Sequence, residues 1–430
     1  MTAQRPHRTE FLVAPASDWG LTRPAPAARP ARAVGAALSL PVDKLSSITD
    51  AVAAYQHGDI EGAFAIIAGV LEIDPDWIDG YRTAAELLWQ CGDPQQFADW
   101  LSHMVRRNVG KTDVTVTCLR MLSDAGLHGA IETLLPLVRS WAGEHLFFSM
   151  LGAVAASERG DVERADALFA RMAEQGGTLA LPHVSHLIRY GRPAQAANLA
   201  ERFVAEHPEN QTGWGLLSTA WRLMDDPRHG WLVERPGLVR CIDMDVEPET
   251  LDALAVHLRT MHVARTHPFD MSLRGGTQTA GNILDRDEPQ LASLRLGFFS
   301  ALYRYVAGLP PEDARHPLLS RSRGAITLSD SWSVRLLDGG YHVSHIHPVG
   351  SLSAAFYVAL PPRCEEQPQA GWLTIGAPPA DLGTGLPPLD IIEPKRGRLV
   401  LFPSYMWHGT TAFPKGERIT VAFDALLANG

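Results

Sequence analysis

Three histidines crowd the stretch YHVSHIHPVG at residues 341–350, and one residue separates His345 from His347. In an extended segment, residues i and i+2 point to the same face. His345 and His347 therefore share a face, and His342 takes the other if the strand continues. Two imidazoles side by side at a strand end are the start of a metal site. Pro348 then stops ladder bonding and ends the strand. A third ligand has to come from another strand, and VLFPSYMWHGTTAF supplies His408 just past a strand end. The last strand opens with GERITVAF, where Arg418 and Thr420 are again i and i+2. A guanidinium with a neighbouring hydroxyl is suited to gripping a carboxylate. The chemistry these residue types can perform is that of a metal ion beside a bound carboxylate.

The elements that must position these residues are short strands. From Ala325 onward the segments AITLSDSWSVRLL, LSAAFYVAL, GWLTIG, GRLVLFPS and RITVAFDALL alternate and are spaced by Gly and Pro turns. Residues 249–263 and 288–308 read as amphipathic helices that buttress one face of the strands. Between them, HPFDMSLRGGTQTAGN reads as a Gly- and Thr-rich loop. Five or more short strands after two helices predict a barrel or double-sheet jelly roll.

The ordered set His-x-His, distal His, Arg-x-Thr resembles the iron(II)/2-oxoglutarate-dependent oxygenases. SWSVRLLDGGYHVSHIHP, SAAFYV, GRLVLFPSYMWHGT and SLRGGTQT look like a bacterial branch of that family that often carries N-terminal tetratricopeptide repeats. The resemblance covers about residues 232–430. It implies a double-stranded β-helix of jelly-roll or cupin-like form. It also implies Fe(II), 2-oxoglutarate as co-substrate and O2, with hydroxylation of a C–H bond in a peptide, protein or small substrate. On this reading His345, His347 and His408 are the metal and catalytic set, and Arg418 and Thr420 bind the far carboxylate of 2-oxoglutarate. Tyr357 and Arg335 are further candidates for contact with the co-substrate. Arg274, Thr277 and Gln278, in a loop made permissive by Gly275 and Gly276, are candidates for substrate contact. Trp407 is a packing residue that also shapes the pocket wall.

One position departs from the family pattern. The carboxylate ligand is expected two residues after the first histidine, where this chain has His347. Three readings stay open: His347 ligates, it lies beside the metal without binding, or the site takes no iron. An imidazole in place of a carboxylate leaves Fe(II) with a higher net charge and alters its redox potential and retention. Three-histidine sets also occur in dioxygenases that do not use 2-oxoglutarate, whereas Arg418 and Thr420 argue for the co-substrate.

The first half of the chain has a different rhythm. Apolar residues recur at three- and four-residue spacing, and a turn residue recurs at Gly58, Gly92, Gly126, Gly160, Gly191 and Asp225. The intervals are 34, 34, 34, 31 and 34 residues. Small residues at Ala63, Ala165 and Ala196 let paired helices pack closely. Period and turn position resemble the tetratricopeptide repeat. Such units stack into an α-solenoid whose concave surface could bind a peptide or a second copy of the chain.

The expected organisation is multidomain α + β, with a disordered tail at 1–40, a tetratricopeptide-like α-solenoid at 41–231 and the oxygenase-like domain at 232–430. The Ala-, Pro- and Arg-rich tail lacks the apolar core of a signal peptide. The composition is ordinary for a globular protein, and a formal net charge of -10 argues against a nucleic-acid partner. No apolar run is long enough to span a bilayer. Four scattered cysteines without a CxxC pair fit a reducing, cytoplasmic compartment. The competing function is a protein-binding module in which the repeats act and the β domain is catalytically silent.

Overall fold

The computed structural model describes residues 42–174 and 181–429, so the expected tail at 1–40 lies outside the described residues. They form two compact units. One holds the helices up to residue 174 together with Pro268–Asp270, and the other holds the remaining chain from residue 181.

In the helical unit the elements are α1 (Val42–Gln56), α2 (Ile60–Ile73), α3 (Ile78–Gln90), α4 (Pro94–Arg107), α5 (Thr112–Asp124), α6 (His128–Ala142), α7 (Leu146–Glu158) and α8 (Val162–Glu174). The glycines at the expected breaks all turn left-handed, with φ of 81° at Gly58, 88° at Gly92, 72° at Gly126 and 83° at Gly160. Each stands just past a helix end, where a residue without Cβ closes the last turn at least cost. The chain then restarts at once: the Asp93 side chain accepts from the backbone N–H groups of Gln95 and Gln96 and caps α4. Ala63 and Ala165 are fully buried where paired helices meet.

The second unit opens with four more helices: α9 (Leu181–Arg189), α10 (Pro193–Glu206), α11 (Gln211–Leu223) and α12 (Arg228–Val233). The same breaks recur, at Gly191 with φ 69° and at Asp225 with φ 53°. Asp225 is the only non-glycine with positive φ among the described residues. These helices carry the 34-residue rhythm, yet they share a core with the strands that follow. The compact unit thus begins well before residue 232, where the texture of the sequence changes.

The strands are β1 (Arg240–Asp243), β2 (Leu273–Gln278), β3 (Arg321–His342), β4 (Leu352–Ala359), β5 (Leu373–Ile375), β6 (Asp390–Ile392), β7 (Arg398–Pro403), β8 (His408–Thr410) and β9 (Arg418–Asn429). A six-stranded antiparallel sheet has the order β1-β7-β4-β9-β3-β2, and a three-stranded one has β6-β5-β8. Helices α13 (Pro248–Met261) and α14 (Pro289–Ala307) match the two helices expected from sequence. Phe298 of α14 meets Phe356 of β4 and Phe423 of β9 at ring centroid distances of 5.3 and 4.7 Å. Side chains alternate across a strand, so the neighbours Tyr357 and Asp424 face the other way. One face of the large sheet is buttressed by helix, and the opposite face is free to hold the site.

The segment expected as a Gly- and Thr-rich loop contains strand β2, paired with β3. The register slips between Arg274 and Gly276, and Gly275 takes φ 68°. At Gly276 a Cβ would stand 2.3 Å from the Arg335 carbonyl oxygen. The two glycines therefore serve strand pairing here, through a bulge and a close approach.

Candidate metal centre

His345 is tied to the start of β8 by a reciprocal backbone pair: His345 N to the His408 oxygen at 2.9 Å, and His408 N to the His345 oxygen at 3.0 Å. This bridge places two histidines distant in sequence side by side, with ring centroids 4.1 Å apart. His347 follows in the same loop, and its N–H reaches the Ser404 carbonyl. Ligand atoms of His345, His347 and His408 lie within 4.8 Å of one another. The Nε2 atoms of His345 and His347 are 3.2 Å apart.

Helix α11 packs behind the loop. A Cβ on Gly215 would lie 2.0 Å from Ile346 Cδ1 and 2.9 Å from the Tyr405 carbonyl oxygen. Ile346 is thus seated directly on the helix backbone, which fixes the loop that carries both neighbouring histidines. Trp407 donates from Nε1 to the Gly215 carbonyl and to Thr219 Oγ1, at 3.1 and 2.9 Å. It anchors the approach to His408 on α11 and does not line the cavity.

The other ring nitrogens are occupied. His345 Nδ1 lies 2.9 Å from the Val343 carbonyl, and His408 Nδ1 lies 3.0 Å from the Met406 carbonyl. A carbonyl only accepts, so each Nδ1 carries the proton and each Nε2 keeps a lone pair. His347 Nδ1 is 2.6 Å from Asp424 Oδ1, with the same consequence. Burial, reinforced by the nearby His347, lowers the pKa of His345 to about 3. Burial likewise pushes His408 well below the usual histidine range. Neutral imidazoles with converging lone pairs are what a divalent metal ion requires.

A cavity opens beside the three histidines, lined also by Trp332, Val334, Tyr357, Phe402, Arg418 and Thr420. Strand register explains the set. Thr420 lies opposite Tyr357 of β4 and Val334 of β3, and Ala422 lies opposite Ala355 and Trp332. Arg418 is 3% exposed, yet among the described residues its one hydrogen bond runs from Nη1 to the Gly371 carbonyl at 2.9 Å. Its Nε and the Tyr357 hydroxyl are buried without a hydrogen-bond partner among the described residues. Buried polar groups are nearly always paired. Two orphaned donors in one cavity, one of them on a guanidinium, fit an anionic acceptor such as a carboxylate. Burial pushes the tyrosine up to about 12, so its hydroxyl stays protonated and can donate.

Besides Trp407, four of the candidates from sequence lie elsewhere. Arg335 alternates with Val334, so it points away from the cavity and pairs with Glu417 at 2.6 Å. Thr277 hydrogen-bonds His262 at 2.8 Å. Arg274 donates to the carbonyls of Met271 and Leu273, both at 2.7 Å. Gln278 makes a long contact with Met271 Sδ. None of the four lines the cavity. His342, expected on the opposite face, does line it. Strand β3 ends at His342, and the extended alternation does not run on to His345. Sequence reading missed Asp424, Ser353 and Ser404, which surround His347. The signal for Asp424 was present: it continues the face of Arg418 and Thr420, three and two steps of two further along β9.

Residues 330–424 match the model of a protein family described as "Putative 2OG-Fe(II) oxygenase". The matched segment runs from β3 to β9 and contains all three histidines, Arg418 and Thr420. Over the part that builds the cavity, the chain resembles the 2OG-Fe(II) oxygenases. No curated protein matches it. Similar solved structures include a viral collagen prolyl hydroxylase from Paramecium Bursaria Chlorella virus-1 in complex with 2OG. It is 13% identical with a TM-score of 0.30, over 44% of this chain and 94% of that one. HygX from Streptomyces hygroscopicus, with nickel, 2-oxoglutarate and hygromycin B bound, is 12% identical with a TM-score of 0.31, over 44% and 82%. A Pseudomonas putida prolyl-4-hydroxylase is 17% identical with a TM-score of 0.29, over 45% and 94%.

Proposed function

We propose that the protein is an Fe(II)- and 2-oxoglutarate-dependent oxygenase that hydroxylates a C–H bond. The observation that carries this reading is the buried Arg418, its Nε without an acceptor, in the cavity that also holds three converging histidines. His345, His347 and His408 would hold the metal. Arg418 and the Tyr357 hydroxyl would hold the far carboxylate of the co-substrate, with Thr420 beside them. When bound, iron(II) with 2-oxoglutarate and O2 supplies the oxidant: the co-substrate loses CO2 to give succinate, and one oxygen atom enters the substrate C–H bond. The chain's own part is to keep three lone pairs aimed inward, to grip the carboxylate, and to exclude water. Trp332, Val334, Ala355, Leu373 and Phe402 supply the apolar wall.

We read the two sheets as the halves of a double-stranded β-helix. We read the helix pairs as a degenerate tetratricopeptide array, a dock for a peptide or protein substrate or for a second copy of the chain. Among the described residues no helix is long and apolar enough to cross a membrane. The test is anaerobic loading with Fe(II), then 2-oxoglutarate binding by calorimetry and succinate formation on admitting air. Binding and turnover that Arg418→Ala abolishes support the proposal. Unchanged binding in that variant overturns it. A second reading draws on His347 standing where the family places an acid: a three-histidine dioxygenase that ignores 2-oxoglutarate. It requires metal binding sensitive to His408→Ala and no response to the co-substrate.

A further inference from the structure

The replacement of the expected carboxylate ligand by His347 leaves the ligand set without negative charge. The structure places a carboxylate one bond further out. Asp424 Oδ1 lies 2.6 Å from His347 Nδ1, and the two side chains are 10% and 14% exposed. Ser353 Oγ donates to the same oxygen at 2.8 Å and is itself 2.8 Å from Ser404 Oγ. The backbone is shaped around this cluster. A Cβ on Gly350 would stand 2.7 Å from Ser404 Oγ and 3.1 Å from Asp424 Cβ. Among the described residues Asp424 has no arginine or lysine partner. A buried carboxylate is costly unless it is paired, and here its only potential cation lies on the imidazole or across it. His345 and His408 have neutral carbonyls in the equivalent place.

We propose that Asp424 is the positioning residue that makes His347 a metal ligand: it fixes the tautomer with the lone pair on Nε2 and returns the missing negative charge through the ring. This rests on the metal reading of the three histidines. It settles the choice left open at His347 in favour of ligation. It also accounts for the order of β9, where the face that carries Arg418 for the co-substrate carries Asp424 for the metal.

The experiment is titration of the metal-free, full-length protein with Fe(II) or Mn(II), without oxygen, for wild type, Asp424→Asn, Asp424→Ala and His347→Asp, and for His347→Asp combined with Asp424→Asn. Loss of such an outer carboxylate weakens metal binding by about 10–100-fold, and that loss is expected in both Asp424 single variants. In the His347→Asp background the carboxylate is back in the ligand set, so Asp424→Asn should cost nothing or tighten binding. In Zn(II)-loaded protein the His347 Nδ1–H proton should resonate far downfield in NMR and lose that position in Asp424→Ala. Wild-type metal affinity in both Asp424 single variants overturns the proposal. So does an undiminished loss in the His347→Asp background, because Asp424 would then act on folding alone. If His408→Ala keeps wild-type affinity, the metal reading itself fails, which is a different result.

Discussion

Arg418→Met separates stability from ligand binding in a way that only a ligand-gripping arginine would show. The guanidinium is 3% exposed, has one backbone acceptor, and stands 5.9 Å from the Tyr357 ring centre. Burial pushes its pKa down from the usual value. An incompletely paired buried charge is a net cost that a well-packed apolar side chain of similar volume removes, commonly by about 1–4 kcal/mol. The Tyr357 ring offsets part of that cost, on the order of 1 kcal/mol. Arg418→Met should therefore stabilise the ligand-free protein by about 1–2 kcal/mol, or a few degrees in Tm. The same change removes the charge-assisted bonds to the co-substrate. Hydrogen bonds to charged groups contribute about 1.5–3 kcal/mol each, so affinity should fall by roughly 10- to 150-fold. The assay is thermal denaturation with and without 2-oxoglutarate in metal-loaded protein, with calorimetry for affinity. Wild type should gain Tm on adding the co-substrate; the variant should start higher and gain less at the same co-substrate concentration. A variant that is less stable and shifts as far as wild type with 2-oxoglutarate would show that Arg418 is a packing residue and that the anion is held elsewhere.

His316 is fully buried, with Nε2 at 3.1 Å from the Leu232 carbonyl and Nδ1 accepting from the N–H groups of Leu318 and Leu319. Burial lowers its pKa to about 4. Its contribution is therefore complete above the unfolded value of about 6.5 and is lost as pH falls toward 4, a change on the order of 2–3 kcal/mol. His316→Gln should flatten the acid limb of stability in denaturant titrations across that window, and an unchanged limb would remove His316 as its cause. Asp225→Gly relieves a non-glycine residue at φ 53° and should stabilise by roughly 0.5 kcal/mol, read as a higher denaturation midpoint; a lower midpoint would mean the Asp225 side chain is needed. Arg335→Ala breaks the pair with Glu417 at a cost of about 0–1 kcal/mol, and 2-oxoglutarate affinity should stay at the wild-type value. A large affinity loss would return Arg335 to the cavity.

What was legible in the sequence follows from local rules. A helix that must reverse within three residues needs a left-handed residue, so the glycine rhythm located the breaks, and even Asp225 at the expected interval takes positive φ. The ligand pair was legible because a single intervening residue, His345-Ile346-His347, keeps two side chains close in any extended form. Domain limits were not legible, because α9–α12 carry the repeat rhythm on one face and strand contacts on the other. Periodicity reports that a face is buried and not what buries it. The side Arg335 takes was open in the sequence for a related reason: parity along β3 is fixed by its register with β9, where Arg335 falls opposite Ile419.

Asp424 shows where such rules could have been pushed further. Arg418 and Thr420 fixed the inward parity of β9, and the same alternation assigns Ala422 and Asp424 to that face without any structure. The sequence does not reveal which histidine the carboxylate meets. That depends on β4 lying beside β9 so that Ser353 falls opposite Asp424, and on the loop carrying His347 back over both strands. An acid two residues from the first histidine and an acid at the far end of the last strand are unrelated positions in a linear pattern. In the folded sheet they serve one purpose, a negative charge beside the metal, and the choice between them decides whether that charge binds directly or through a ring.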